Sequence, residues 1–319
     1  MPLKLTAADK TDVGKQREQN EDTPYKRIET SSEGDRGLFI VADGMGGYQA
    51  GEVASRLAVE TISKVIDSAH FFKPIQDQPT INLNVISASA QDPDATVKMD
   101  TSKVRGAASQ TSQAGQAGQG EQEAQNPNLQ QTIKLPETHI AKNIEQQFTR
   151  AIQEAHAAIL KYGESKTSAR GLGCTVTSVL IQNDEAYIAN VGDSRTYLLR
   201  KGKLKPLTKD HSLVARLVEA KQIEPEDVYS HPQRNLIYRS LGAGHKTVEV
   251  DVTHLALQPD DTLLLCSDGL WEMVRSEDLR RELSEKTSPQ NICNTLIDMA
   301  NEHGGEDNIT AIVVHVSAM

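Results

Sequence analysis

Apolar residues recur along this chain with two different periods, and the switching between them outlines the fold. Residues 38–42 (Leu-Phe-Ile-Val-Ala) are a short unbroken apolar run of strand length, the pattern of a strand buried on both faces. From residue 50 to 72 the period changes to 3.6. Val53, Ala54, Leu57, Ala58, Ile62, Val65 and Ile66 fall on one stripe, which predicts an amphipathic helix laid on a sheet. A second such helix is predicted over residues 138–162, through Ile140, Ile144, Phe148, Ile152, Ala155 and Ile159, packed beside the first. Beyond it the pattern is strand-rich. Residues 174–181 and 185–191 are β-prone runs split by Asn183-Asp184, and 195–200 turns back at Lys201-Gly202. Residues 209–246 break that rhythm with a short helix over 211–220 and a loop over 223–233, and read as a small lobe inserted between strands. Strands return at 247–253 and 261–266. A short helix starts at Ser276 and a longer one at Ser288-Pro289, an N-cap followed by a first-turn proline. A last strand covers 309–316. At the other end, residues 3–14 form a short strand, whereas 24–36 read as polar and turn-rich. Helix pairs alternating with strands in each half predict an α+β fold, with helices outside two packed sheets.

Residues 73–137 do not fit either period. This stretch lacks aromatic residues, and from residue 87 it is Gln, Ala, Ser, Gly and Asp with few apolar side chains. Such a composition does not bury enough apolar surface to offset its ordering entropy, so it is expected to be a disordered insertion between the two helices. The whole-chain figures agree: 37% hydrophobic and 4% aromatic residues are lean for one compact globule of 319 residues.

The formal charge of −10, with no basic stripe, argues against nucleic acid or an anionic membrane as partner. Cys174, Cys266 and Cys293 are an odd set without CxxC spacing, which argues against a disulfide framework or a zinc site. A polar amino terminus and the lack of a long apolar run lead to the expectation of a cytoplasmic chain.

The chemistry gathers at strand ends. Asp43 ends the 38–42 run and opens Asp43-Gly44-Met45-Gly46-Gly47. Asp268 follows the 261–266 strand in Ser267-Asp268-Gly269, Asp307 precedes the last strand, and Asp193 sits in Gly192-Asp193-Ser194-Arg195. A single aspartate of this kind is most simply a turn or cap residue. Four at strand ends can converge on one rim, where they repel one another unless cations lie between them. Oxygen-only ligands favour Mg²⁺ or Mn²⁺ over zinc, and two such ions can activate water for phosphoryl hydrolysis. Arg17 is placed to clamp a phosphate with its fork of donors.

Six segments in order carry a resemblance: Arg17-x-x-Asn20-Glu21-Asp22, residues 41–47, residues 189–195, Leu207-Thr208-x-Asp210-His211-Ser212, Ser267-Asp268-Gly269 and Asp307-Asn308-Ile309-Thr310. Together they resemble the metal-dependent Ser/Thr protein phosphatases of type 2C, the PPM family in its bacterial form, over the whole chain outside 73–137. The resemblance implies a single domain: a central antiparallel β-sandwich flanked by pairs of helices, with 209–246 as the flap of bacterial members. It implies two Mn²⁺ or Mg²⁺ ions bridged by Asp43. The Gly44 carbonyl serves one ion, Asp268 and Asp307 the other, and Glu21 acts through water. Asp193 and Asp268 hold a weaker third ion, Arg17 binds the phosphate, and Asp22 and Asn308 brace the site from behind. It further implies a monomer acting on phosphorylated proteins, the substrates of a Ser/Thr kinase. Many eukaryotic members carry a histidine in the glycine turn as general acid; here Met45 stands there, which leaves a metal-bound water as the default acid. His211 is expected to order its loop rather than to replace that acid. The competing reading, a catalytically silent scaffold using the insertion, would be expected to lack a metal aspartate, and none is missing.

Overall fold

The computed structural model describes residues 2–46, 50–69, 137–166 and 171–319. Residues 73–136 of the expected insertion lie outside them, as does Gly47 of the glycine turn. The element order is β1 (Leu3–Asp12), β2 (Asp22–Glu29), β3 (Arg36–Met45), α1 (Ala50–Ser68), α2 (Glu137–Ser165), β4 (Gly173–Gln182), β5 (Glu185–Val191), β6 (Arg195–Arg200) and β7 (Lys203–Pro206). Then follow α3 (Leu213–Glu219), a 3₁₀ turn (Pro225–Tyr229), β8 (Leu241–Gly242), β9 (Asp251–Ala256), β10 (Thr262–Cys266), α4 (Asp268–Trp271), α5 (Ser276–Leu283), α6 (Pro289–Glu302) and β11 (Ile309–Ala318).

Two antiparallel sheets result, in the orders β1-β11-β10-β6-β7 and β2-β3-β4-β5-β9, with β8 beside β4. Alternation along the central strands explains their unbroken apolar runs. Phe39 and Val41 of β3 face Leu263, Leu265, Ile312 and Val314 of the other sheet in the sandwich interior. Their neighbours Leu38, Ile40 and Ala42 turn outward under α1 and α2, where Ile62, Ile66, Phe148 and Ile152 are fully buried. In the first sheet Leu264, Cys266, Ala311 and Val313 turn outward under α5 and α6. Each fully buried Ile or Phe stabilises this layering by roughly 1.5–3 kcal/mol. The helix–sheet–sheet–helix arrangement is the α+β fold expected from the pattern.

Three boundaries differ from expectation. Residues 22–29 form a strand, not a loop: β2 is an edge strand, where Pro24 and the charged Lys26, Arg27 and Glu29 are tolerated. β9 begins at Asp251 rather than 247, because its register is set by β5, with Asn190 opposite Asp251 and Glu185 opposite Ala256. β3 runs through Gly44 and Met45, which pair with Cys174 and Gly173.

Within residues 209–246 the Leu213 N–H donates to Leu236 O and the Tyr238 N–H to His211 O. Ser212 caps α3 by accepting from the Ala215 N–H, and Arg216 stacks on the Tyr238 ring at 3.6 Å. Among the described residues no helix is long and apolar enough to cross a membrane, and the three cysteines are buried free thiols.

Candidate active site

Strand register brings the predicted acids to one rim. Cys266, the last residue of β10, pairs with Arg195 on one side and Ala311 on the other. Asp268, Asp193 and Asp307, each a few residues beyond one of these partners, therefore emerge together. From the second sheet, β2 and β3 set Asp22 opposite Asp43. Two hydroxyl contacts tie the sheets together at this rim. Ser267 Oγ donates to Asp22 Oδ2 (2.7 Å), and Thr175 and Ser194 share a hydrogen bond of 2.7 Å.

The rim encloses a cleft of about 310 Å³ whose walls include Arg17, Glu21, Asp43, Gly44, Asp193, Asp268 and Asp307. Gly44 is required here by close approach: a Cβ on it would lie 2.3 Å from Gly51 O, and one on Gly51 would lie 2.6 Å from the Glu21 carboxyl carbon. Asp22 and Asn308 lie behind the wall. Asn308 Oδ1 accepts from the Glu21 N–H (2.8 Å), and its Nδ2 donates to Val13 O and Gln19 O, both at 2.9 Å. One amide side chain thus fixes the loop that carries Arg17 and Glu21.

The electrostatics are one-sided. Burial, and then the charge of Asp268, raises the Asp43 carboxyl well above the usual carboxylate range. Burial and the Asp193 charge do the same to Asp268. Asp193 is pushed up to about 7 by burial and by Asp210, and Asp22 to about 6 by burial, with its Oδ1 left without a donor. Burial also raises Glu21. Arg17 does not point freely into the cleft: its Nη2 pairs with Asp307 Oδ2 at 2.6 Å. A guanidinium beside a crowd of acids takes the nearest one, and Asp307 is the one at its side.

The residues fit a hard divalent cation by donor type. The carboxylates of the cleft offer oxygen donors, and the largest charges felt by the buried Asp43 and Asp268 are those of other acids. The acids line the wall rather than meeting at a point, and among the described residues no three His, Cys, Asp or Glu side chains form a closed metal cluster. Mutual repulsion and the Arg17–Asp307 pair account for that spacing.

The turn carrying Asp193 is gripped from both sides. Gly192, with φ 112°, presses against Thr175, so that a Cβ there would lie 2.4 Å from Thr175 Cβ. Its N–H donates to His211 Nδ1 and its carbonyl accepts from the His211 N–H, both at 2.9 Å. His211 therefore orders its loop, as expected. On the other side Trp271 Nε1 donates to Asp193 O (3.0 Å), and Arg195 lies 3.4 Å over the indole while forking onto Asp210.

Four contributors were not foreseen: Ser267, Trp271, Arg234 and Glu272. Arg234, in the loop after the 3₁₀ turn, reaches the cleft and bridges Glu272 Oε2 (3.2 Å) and Glu306 Oε2 (2.8 Å). Nothing in His231-Pro232-Gln233-Arg234 separates it from an ordinary charged loop residue. Trp271 did carry a signal, since a lone tryptophan beside an acid motif needs a partner for its indole N–H.

The family model of protein phosphatase 2C matches residues 108–309. The serine/threonine phosphatase stp of Listeria welshimeri is 33% identical over 310 residues, covering 97% of this chain and 95% of the relative. The crystal structure of the Mycobacterium tuberculosis serine/threonine phosphatase PstP/Ppp superposes with a TM-score of 0.68 at 29% identity, covering 98% of this chain and 99% of that one. The catalytic domain of PstP in complex with two manganese ions superposes with a TM-score of 0.67 at 27% identity, covering 99% and 100%.

Proposed function

The chain belongs to the protein phosphatase 2C family, and from that premise we propose that it hydrolyses phosphoserine and phosphothreonine monoesters on proteins. The observation that carries this reading is the cleft itself, in which Asp43 and Asp268 are crowded by other acids while its two arginines are paired elsewhere, Arg17 with Asp307 and Arg234 with Glu272 and Glu306. Asp43, the Gly44 carbonyl, Glu21, Asp268 and Asp307 would hold two Mn²⁺ or Mg²⁺ ions, and Asp193 with Asp268 a weaker third. When bound, the ions supply positive charge that activates water and stabilises the phosphoryl group during transfer.

The remaining steps fall to this chain's own groups. Arg17 Nη2, now on Asp307, is within the cleft and offers forked donors to the non-bridging phosphate oxygens. Asp22 and Asn308 keep the Glu21 loop in register behind it. Water attacks phosphorus as the ester P–O bond breaks, giving inorganic phosphate and the free hydroxyl of the protein. Met45 lines the cleft without a proton to give, so the departing oxygen takes its proton from water. We read the natural substrates as products of a Ser/Thr kinase, the chain as a monomer and a single domain, and the 209–246 lobe as a flap beside the cleft.

The test is turnover of p-nitrophenyl phosphate and of a phosphothreonine peptide with Mn²⁺. The wild type is expected to hydrolyse both, and Asp43→Ala neither. A wild type inactive on both, or a variant as active as the wild type, would end the proposal.

A further inference from the structure

A second groove, about 400 Å³, opens next to the cleft and shares Arg234, Glu272 and Glu306 with it; Tyr229, Arg275 and Met273 line its outer part. The shared residues make the two one continuous surface with Arg234 at the divide. Both acids at that divide are already taken by the Arg234 guanidinium. The outer part is different. Among the described residues, Arg275 is the one arginine of cleft and groove that has no carboxylate partner. It is nevertheless held: its guanidinium lies 3.6 Å over the Tyr229 ring, and its Nη1 donates to Glu272 O at 2.9 Å. The adjoining Met273 carbonyl accepts from His303 Nδ1 at 2.9 Å, so the backbone beneath Arg275 is tied to the end of α6. A guanidinium stacked by its face keeps its edge donors free, and one held in place loses little entropy when it binds.

We propose that this groove receives the polypeptide flanking the phosphorylated residue, and that Arg275 selects substrates with an anionic side chain there. The proposal rests on the phosphatase reading of the cleft and adds the substrate class. Charge complementarity names the occupant, since both acids at the divide are bonded to Arg234 while the Arg275 guanidinium faces no carboxylate. Continuity with the cleft names its source, the same chain whose phosphate enters beside Arg17.

The test is a set of phosphothreonine peptides in which one flanking position at a time carries glutamate, glutamine, lysine or phosphoserine. Each is compared by kcat/KM, with p-nitrophenyl phosphate measured alongside. At one or two positions the wild type is expected to favour glutamate over lysine by about threefold, the size of an exposed charge contact, and phosphoserine by more. Arg275→Ala is expected to bring the ratio to one, and Arg275→Glu to invert it. Lys203→Ala, on β7, is expected to keep the wild-type ratio. A response to phosphoserine but not glutamate would assign the groove to doubly phosphorylated segments, which also supports it. Wild-type ratios of one at every position, with p-nitrophenyl phosphate still turned over, would overturn the groove alone. A preference that survives Arg275→Glu would overturn it too. Failure of p-nitrophenyl phosphate turnover would instead remove the phosphatase reading beneath it.

Discussion

The strand β10 has an aspartate at each end, and the two live in opposite circumstances. Asp261, at its start, is 1% exposed and fully answered: Arg200 Nε donates to Oδ1 (2.8 Å), Arg200 Nη2 to Oδ2 (2.6 Å), and the Gln258 N–H also to Oδ2 (2.8 Å). Asp268, just past its end, meets chiefly the charges of Asp193, Asp307 and Glu272, with Arg234 near, and among the described residues no side chain donates a hydrogen bond to it. The same sheet thus anchors a satisfied acid at one end and a frustrated one at the other. A buried carboxylate can serve as a structural staple or as an unfilled electrostatic demand, and the partners decide which. The frustrated end is where the fold gives up stability for chemistry.

The comparison breaks most sharply if Asp268 is neutralised. Asp268→Asn is expected to lower Mn²⁺-dependent turnover by about a hundredfold or more, the scale of losing a group that holds a metal site together. In EDTA the same variant is expected to unfold at a higher temperature than the wild type. The carboxyl is raised in the folded protein, so its ionised form penalises folding at neutral pH. That penalty fades as pH falls through the raised folded value, so the advantage of the variant should shrink on acidification. Thermal melts at neutral and acidic pH check both halves. A variant less stable than the wild type at neutral pH would show that the acid is answered after all.

At the other end of β10 the expected effect reverses. Asp261→Ala leaves Arg200 without its carboxylate partner, keeping only the Ala256 carbonyl, and the Gln258 N–H without an acceptor. Breaking a buried pair is worth about 3–5 kcal/mol; because Arg200 is 29% exposed and water screens it, about 2 kcal/mol is the expected loss. Urea titration should show a lower midpoint with an unchanged slope. Turnover should stay within about twofold of the wild type, since neither residue lines the cleft.

Sequence patterns revealed much of this contrast, for identifiable reasons. Central strands such as β3 and β4 are buried on both faces, so their apolar runs stand out, and α1 and α2 carry an unmistakable stripe. The acids of the cleft were visible because they sit at strand ends beside Gly, Ser or Asn. What stayed hidden depended on tertiary contact. β2 is held by pairing with β3 rather than by its own pattern. Ser267 acquires meaning only when Asp22 arrives from 245 positions away in sequence. Arg234 looks like any loop arginine until the fold brings it to the wall of the cleft.

The smallest effect concerns how the Asp193 turn is held. Because His211 Nδ1 accepts from the Gly192 N–H, the neutral ring carries its proton on Nε2, facing Asp251 Oδ2 at 3.1 Å. Protonation would turn Nδ1 into a donor and set it against that N–H. Burial lowers the His211 pKa, even with Asp251 opposing it. For a histidine lowered in the fold, the unfolded chain takes up its proton first. Stability is therefore fully present above about pH 6.5 and drains away as pH falls from there toward the folded value. His211→Gln, whose side-chain oxygen still accepts from Gly192, should lose less stability than the wild type between pH 7.5 and 5.5, by about 1 kcal/mol or less. His156 and His315, also lowered by burial, remain in both proteins and cancel in the difference. Parallel melting curves for the two proteins across that interval would mean that His211 holds the turn in either protonation state, and that the Gly192 N–H is not what keeps the ring neutral.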